Sequence, residues 1–121
     1  MKILVIDDSK TMRMIVVRTL RQAGFEGHTI IEAVDGALGL EAIEAHAPGL
    51  ILSDWNMPNM SGLELLRELK ERGSTTPFYF VTSESSDHMR ALAGQAGAVG
   101  LITKPFTADG FADVLGSVVS A

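Results

Sequence analysis

Two patterns alternate along the chain. Apolar runs at Ile3 to Ile6, Leu50 to Leu52, Phe78 to Val81 and Val99 to Ile102 lack polar alternation, which predicts strands buried on both faces of a sheet. His28 to Ala33 is more polar and predicts a strand at a sheet edge. Between them the spacing becomes helical. Met12, Ile15, Val16, Thr19, Leu20 and Ala23 share one face, as do Phe111, Val114, Leu115 and Val118, the signature of surface helices packed on a sheet. Gly24, Asp35-Gly36, Pro48-Gly49 and Gly73 punctuate the segments, where helix ends and turns need them.

The count is five strands, each followed by a helix, near 10–23, 36–46, 62–72, 86–96 and 107–119. Such regular alternation predicts an α/β fold, a doubly wound parallel sheet with helices on both faces, because each parallel pair needs a right-handed crossover. With no linker, repeat or low-complexity tract, residues 1–121 are expected to form a single domain. Ligands in such sheets bind beyond the carboxyl ends of the strands. The residues at those ends are Asp7 and Asp8, Asp54, Thr82 and Ser83, and Lys104.

Composition narrows the chemistry. The absence of cysteine removes disulfides, thiolate metal sites and thiol catalysis, so any metal here is hard and oxygen-bound. Fifteen acidic against ten basic residues, a net charge of −5, disfavour sequence-independent binding to a nucleic-acid backbone. Neither a signal peptide nor a membrane span is predicted, and a cytoplasmic location is expected.

Taken singly, each strand-end residue has an ordinary explanation. Asp8 or Ser9 can cap the first helix, a Thr suits a strand end, and a lone Lys is usually solvated. Together they argue otherwise, since four strands deliver ionisable or hydroxyl groups to one edge. Two carboxylates about 5 Å apart at an effective dielectric near 20 repel by roughly 3 kcal/mol. A divalent ion relieves that repulsion. Mg²⁺ typically uses one or two carboxylates with phosphate oxygens and waters, while Lys104 and the Thr82 hydroxyl can meet phosphoryl oxygens.

The run Lys2-Ile3-Leu4-Val5-Ile6-Asp7-Asp8-Ser9, the segment Ser53-Asp54-Trp55-Asn56-Met57-Pro58-Asn59-Met60-Ser61-Gly62 and the closing Lys104-Pro105-Phe106-Thr107 closely resemble the receiver domains of two-component signalling, and among them those of chemotaxis. The resemblance spans essentially the full chain. It implies a flavodoxin-like (βα)5 fold with strand order 2-1-3-4-5. It also implies that Asp54 accepts a phosphoryl group from a sensor histidine kinase, and that Mg²⁺ is held by Asp8, Asp54 and the backbone carbonyl of Asn56, with Asp7 acting through water. Lys104 and Thr82 are implied to neutralise phosphoryl charge. The Lys104-Pro105 peptide is implied to be cis, and to aim Lys104 inward.

By the same resemblance, output runs through residues 86–119 to a downstream protein, the flagellar motor switch being a candidate, and a monomer is expected. Asn56 and Glu84 flank the path of the water that removes the phosphoryl group. Thr82 is implied to move toward the phosphate. One departure stands out: Leu101 occupies a position, three before Lys104, where the family usually has an aromatic switch residue.

Other readings are weaker. An aspartate-nucleophile phosphatase of the haloacid dehalogenase type needs a second acid two residues after the nucleophile, where this chain has Asn56. A dinucleotide-binding module needs a G-x-G-x-x-G loop where Asp7-Asp8-Ser9-Lys10 stands. A generic phosphorelay shuttle, a receiver excised from a larger regulator, and a scaffold domain remain open at this point. His28, His46 and His88 are scattered and receive no chemistry; the paired methionines Met12, Met14, Met57 and Met60 read as packing.

Overall fold

A computed structural model describes residues 1–119. Its elements run β1 (Lys2–Ile6), α1 (Lys10–Leu20), β2 (Thr29–Ala33), α2 (Gly36–His46), β3 (Leu50–Ser53), α3 (Gly62–Glu71), β4 (Phe78–Thr82), α4 (Asp87–Ala96), β5 (Gly100–Thr103) and α5 (Ala108–Leu115). All strand pairs are parallel, in the order β2-β1-β3-β4-β5. This is the flavodoxin-like arrangement, with the polar strand β2 at one edge as its sequence predicts.

Alternation along the strands builds two cores. Ile3, Val5, Leu50, Leu52, Tyr79 and Val81 face α1 and α5, joined by Val16, Leu20, Phe111 and Leu115. Leu4, Ile6, Ile51, Phe78 and Phe80 face the other way, meeting Leu65, Leu66 and Leu69 of α3 and Ala93 of α4. Each helix starts from a polar cap whose side chain accepts a backbone N–H: Ser9, Asp35, Ser61, Ser86 and Thr107. These caps satisfy donors that no preceding turn can reach.

The structure corrects the sequence reading in four places. The first helix leaves α geometry at Leu20 and closes through a π-type turn, Arg21–Phe25, in which Gly24 takes φ 98°. That left-handed conformation favours glycine. The fifth helix stops at Leu115 instead of 119, where Gly116 and Ser117 are poor helix formers. Val118 and Val119 still donate to the Leu115 carbonyl, at 3.0 and 2.9 Å, so Val119 remains in the core. Only Ile102 of β5 is buried and Val99 is 56% exposed, because β5 is the second edge and lacks an outer neighbour. Ile15 is exposed although it lies on the apolar stripe of α1. Ile15 instead lines an open cavity of about 390 Å³ with Met12, Ser83, Lys104, Pro105 and Phe106. Among the described residues no helix is long and apolar enough to cross a membrane.

Candidate functional site

The strand register sets the site. Ile6 pairs with Ser53, so the next residues, Asp7 and Asp54, leave the sheet side by side. The Asp54 amide donates to the Ile6 carbonyl at 2.9 Å and the Asp7 amide to the Ala33 carbonyl at 3.1 Å. On the other side Thr82 pairs with Thr103, and the Lys104 amide returns to the Thr82 carbonyl at 2.8 Å. The Lys104-Pro105 peptide is cis.

The structure brings Asp7, Asp8 and Asp54 together with one carboxylate oxygen from each lying within 4.8 Å of the others. Asp7 is buried; its Oδ1 accepts from the Ser9 amide at 2.9 Å and its Oδ2 from Lys104 Nζ at 3.1 Å. The same Nζ stands 3.5 Å from Asp54 Oδ2, while Asp54 Oδ1 accepts from the Trp55 amide at 2.7 Å. Asp8 is exposed. Burial pushes the Asp54 carboxyl above its ordinary value, with the Asp7 charge adding to that, while Lys104 and the Trp55 amide pull it back. One ammonium against three carboxylates leaves the cluster negative. An all-oxygen donor set with one solvent-facing member fits a hard divalent cation such as Mg²⁺.

Around this cluster, Thr82 is buried at the end of β4 and its Oγ1 accepts from the Glu84 amide at 3.3 Å. Asn56 and Glu84 are exposed, on the loops that follow β3 and β4. Leu101 is the register partner of Phe80 and packs partly buried against the core that also holds Trp55. Trp55 and Phe80 stack with centroids 4.5 Å apart. Gly62 makes the close approach possible, since a Cβ there would lie 2.2 Å from the Asp54 carbonyl oxygen and 2.9 Å from the Phe80 ring. The capping role weighed for Asp8 or Ser9 belongs to Ser9, which accepts from the Met12 amide.

Two contacts escape sequence reasoning. Arg13 Nη1 donates to the Asp7 carbonyl at 2.7 Å and its Nε to Glu32 Oε1 at 3.0 Å. The signal was present: a cation in the first turn opposes the helix dipole, so Arg13 there calls for a nearby acceptor. In the second, Asn59 Nδ2 donates to Asp35 Oδ2 at 2.8 Å, which ties the loop after Asp54 to the start of α2.

Residues 3–115 match the family described as response regulator receiver domain. The chain is 41% identical over 110 residues to the chemotaxis protein CheY of Pseudomonas aeruginosa, covering 89% of this chain and 87% of that protein. It is 40% identical to the chemotaxis protein CheY-3 of Vibrio cholerae, covering 89% and 83%. Among solved structures, Vibrio cholerae CheY4 superposes with TM-score 0.86 at 31% identity, covering 98% of each chain. With the sheet order, the strand-end acids and this family match in agreement, the chain belongs to the response regulator receiver domain family.

Proposed function

We propose that this receiver is a phosphoryl-accepting switch in which Asp54 is the acceptor and a sensor histidine kinase the donor, and that residues 1–121 act as one unit in the cytoplasm. The observation that carries the reading is the Lys104 ammonium lying between Asp7 and Asp54, 3.1 and 3.5 Å from their oxygens. In transfer, an Asp54 carboxylate oxygen forms a bond to phosphorus as the P–N bond to the kinase imidazole breaks, and the imidazole leaves neutral by taking a proton. Catalysis of such a step is positioning and charge neutralisation. Lys104 supplies a fixed positive charge to the phosphoryl oxygens, and the Thr82 hydroxyl supplies a donor. The Trp55 amide holds one Asp54 oxygen and leaves the other for attack. Asp8, Asp54 and the Asn56 carbonyl, with Asp7 beside them, would hold Mg²⁺, which supplies further neutralisation of phosphoryl charge.

On this reading the chain is a switch and not a turnover enzyme, and it catalyses its own phosphotransfer and dephosphorylation. Asn56 and Glu84, exposed beside the site, tune the loss of the phosphoryl group. Thr82 and Leu101 link the site to an output face across 86–119. Chemotaxis is the favoured pathway because two similar proteins at 40 and 41% identity carry that role in their names, and the flagellar motor switch is then the target. Incubation with acetyl phosphate and Mg²⁺ should add one phosphoryl group by intact mass, and Asp54→Asn should abolish it. Equal labelling of the Asn variant would refute the assignment.

A further inference from the structure

We infer that Arg13 is a positioning residue for the acidic cluster and that Glu32 is the counter-charge that keeps Arg13 from weakening cation binding. The inference rests on the reading of Asp7, Asp8 and Asp54 as a cation site.

Arg13 stands on the first turns of α1, yet its side chain is only 11% exposed. Side chains on a helix lean toward its N-terminus, which carries this guanidinium back over the β1–α1 junction. There it donates to the Asp7 carbonyl at 2.7 Å, a short charge-assisted bond. Asp7 is thereby held from three directions: its carbonyl by Arg13, its Oδ1 by the Ser9 amide and its Oδ2 by Lys104. Fixing the Asp7 carbonyl fixes the Asp7-Asp8 peptide plane, and hence the direction from which Asp8 presents its carboxylate. Contacts that orient ligands from behind are worth about 10 to 100-fold in metal affinity.

A bare guanidinium so close to the cluster would repel a divalent ion, and Glu32 answers that problem. It projects from β2, its Oε1 accepts from Arg13 Nε at 3.0 Å, and its side chain is 47% exposed. The fork of Arg13 therefore spends one donor on position and another on its own neutralisation. A lysine has no such fork. Position and charge make opposite predictions. If Arg13 acted only through charge, its removal would tighten cation binding; if it acts by position, removal weakens binding.

The test is Mg²⁺ titration of the full chain, followed by emission of Trp55, the only tryptophan, with melting temperature as a second readout. Arg13→Gln should raise Kd about tenfold, and Arg13→Lys should recover part of that. Glu32→Gln should raise Kd about twofold to threefold at low ionic strength, and the effect should vanish in about 1 M salt, where charges are screened within a few ångströms. In the Arg13→Gln background Glu32→Gln should change nothing, because its influence passes through Arg13. An Arg13→Gln variant with unchanged or tighter Mg²⁺ binding overturns the inference, as does a Glu32→Gln effect that persists without Arg13. If Arg13→Gln fails to fold, Glu32→Gln carries the test, since a salt-insensitive or absent change in Kd also overturns it. Should the wild-type chain itself show no Mg²⁺ response in either readout, the cation-site reading falls and takes the inference with it. A responding wild type with an indifferent Arg13→Gln removes the inference alone.

Discussion

At Asp54 the fold carries a local electrostatic cost. Its side chain is 16% exposed, and burial with the Asp7 charge raises its pKa. A carboxyl whose folded pKa exceeds its unfolded value destabilises the native state above the folded pKa, and the cost fades as pH falls toward the unfolded value. In metal-free buffer near neutral pH, Asp54→Asn should therefore raise stability. After screening and the Lys104 attraction the gain is about 1 kcal/mol, or several degrees of melting temperature. The gap between variant and wild type should close on acidification through the carboxylate range. Lys104 predicts the opposite sign. It is the ammonium on buried Asp7, so Lys104→Met leaves a buried charge with one amide partner and should cost about 3 kcal/mol, read from urea midpoints.

Between elements, the contact to test is the one that joins α2 to the loop after β3. Asp35 caps α2 through the Leu38 amide at 2.8 Å and accepts from Asn59, whose φ of 68° is left-handed. Gly36 lies against the same loop, where a Cβ would sit 2.6 Å from the Met60 carbonyl oxygen. The Leu38 amide and then the Asn59 side chain hold the Asp35 carboxyl below its ordinary 3.8. Its contribution is then present above the unfolded pKa and lost as pH falls through the folded one. Asp35→Ala should cost about 2 kcal/mol near neutral pH, combining a lost cap with a lost charge-assisted bond. That penalty should shrink below about pH 4, where the unfolded carboxyl takes up its proton ahead of the folded one.

This contact also marks the limit of what the sequence reveals. Leu4 and Ile51 announce themselves as central strand residues because burial on both faces excludes polar alternation. Asp7, Asp54 and Lys104 follow, since Asp7 comes directly after an apolar run and the other two come one polar residue after theirs. The Asp35–Asn59 and Arg13–Glu32 pairs do not, because they join residues 24 and 19 apart through loop and helix geometry that no local period encodes. Val99 and Ile15 mislead for a related reason: periodicity reports an apolar face but not whether a neighbour covers it.

Across the whole molecule, the proposed link from the acids to an output face would run through the paired strands β4 and β5. Thr82 is fully enclosed, whereas Leu101 is partly buried against Phe80, and a Leu presents less apolar area than a ring. At about 25 cal/mol per Å² the missing ring area is worth on the order of 1 kcal/mol between two side-chain positions. Thr82→Ala should therefore largely uncouple Asp54 occupancy from partner affinity, and Leu101→Ala should weaken the coupling only modestly. Affinity for a flagellar switch peptide, measured with and without beryllofluoride standing in for the phosphoryl group on Asp54, separates the two. Loss of all activation in the Leu101 variant alone would reverse this division.

The ion pair between Asp7 and Lys104 joins residues 97 apart, and this separation has a consequence for biosynthesis. Asp7, Asp8 and Asp54 emerge from the ribosome well before their cationic partner. At about 5 to 20 residues per second, a nascent chain spends seconds carrying three acids with no ammonium to draw them together. On the proposed reading, acceptor chemistry is thus withheld until β5 has been translated and docked, so a ribosome stalled upstream of Lys104 displays a chain whose Asp7 still lacks its ion-pair partner.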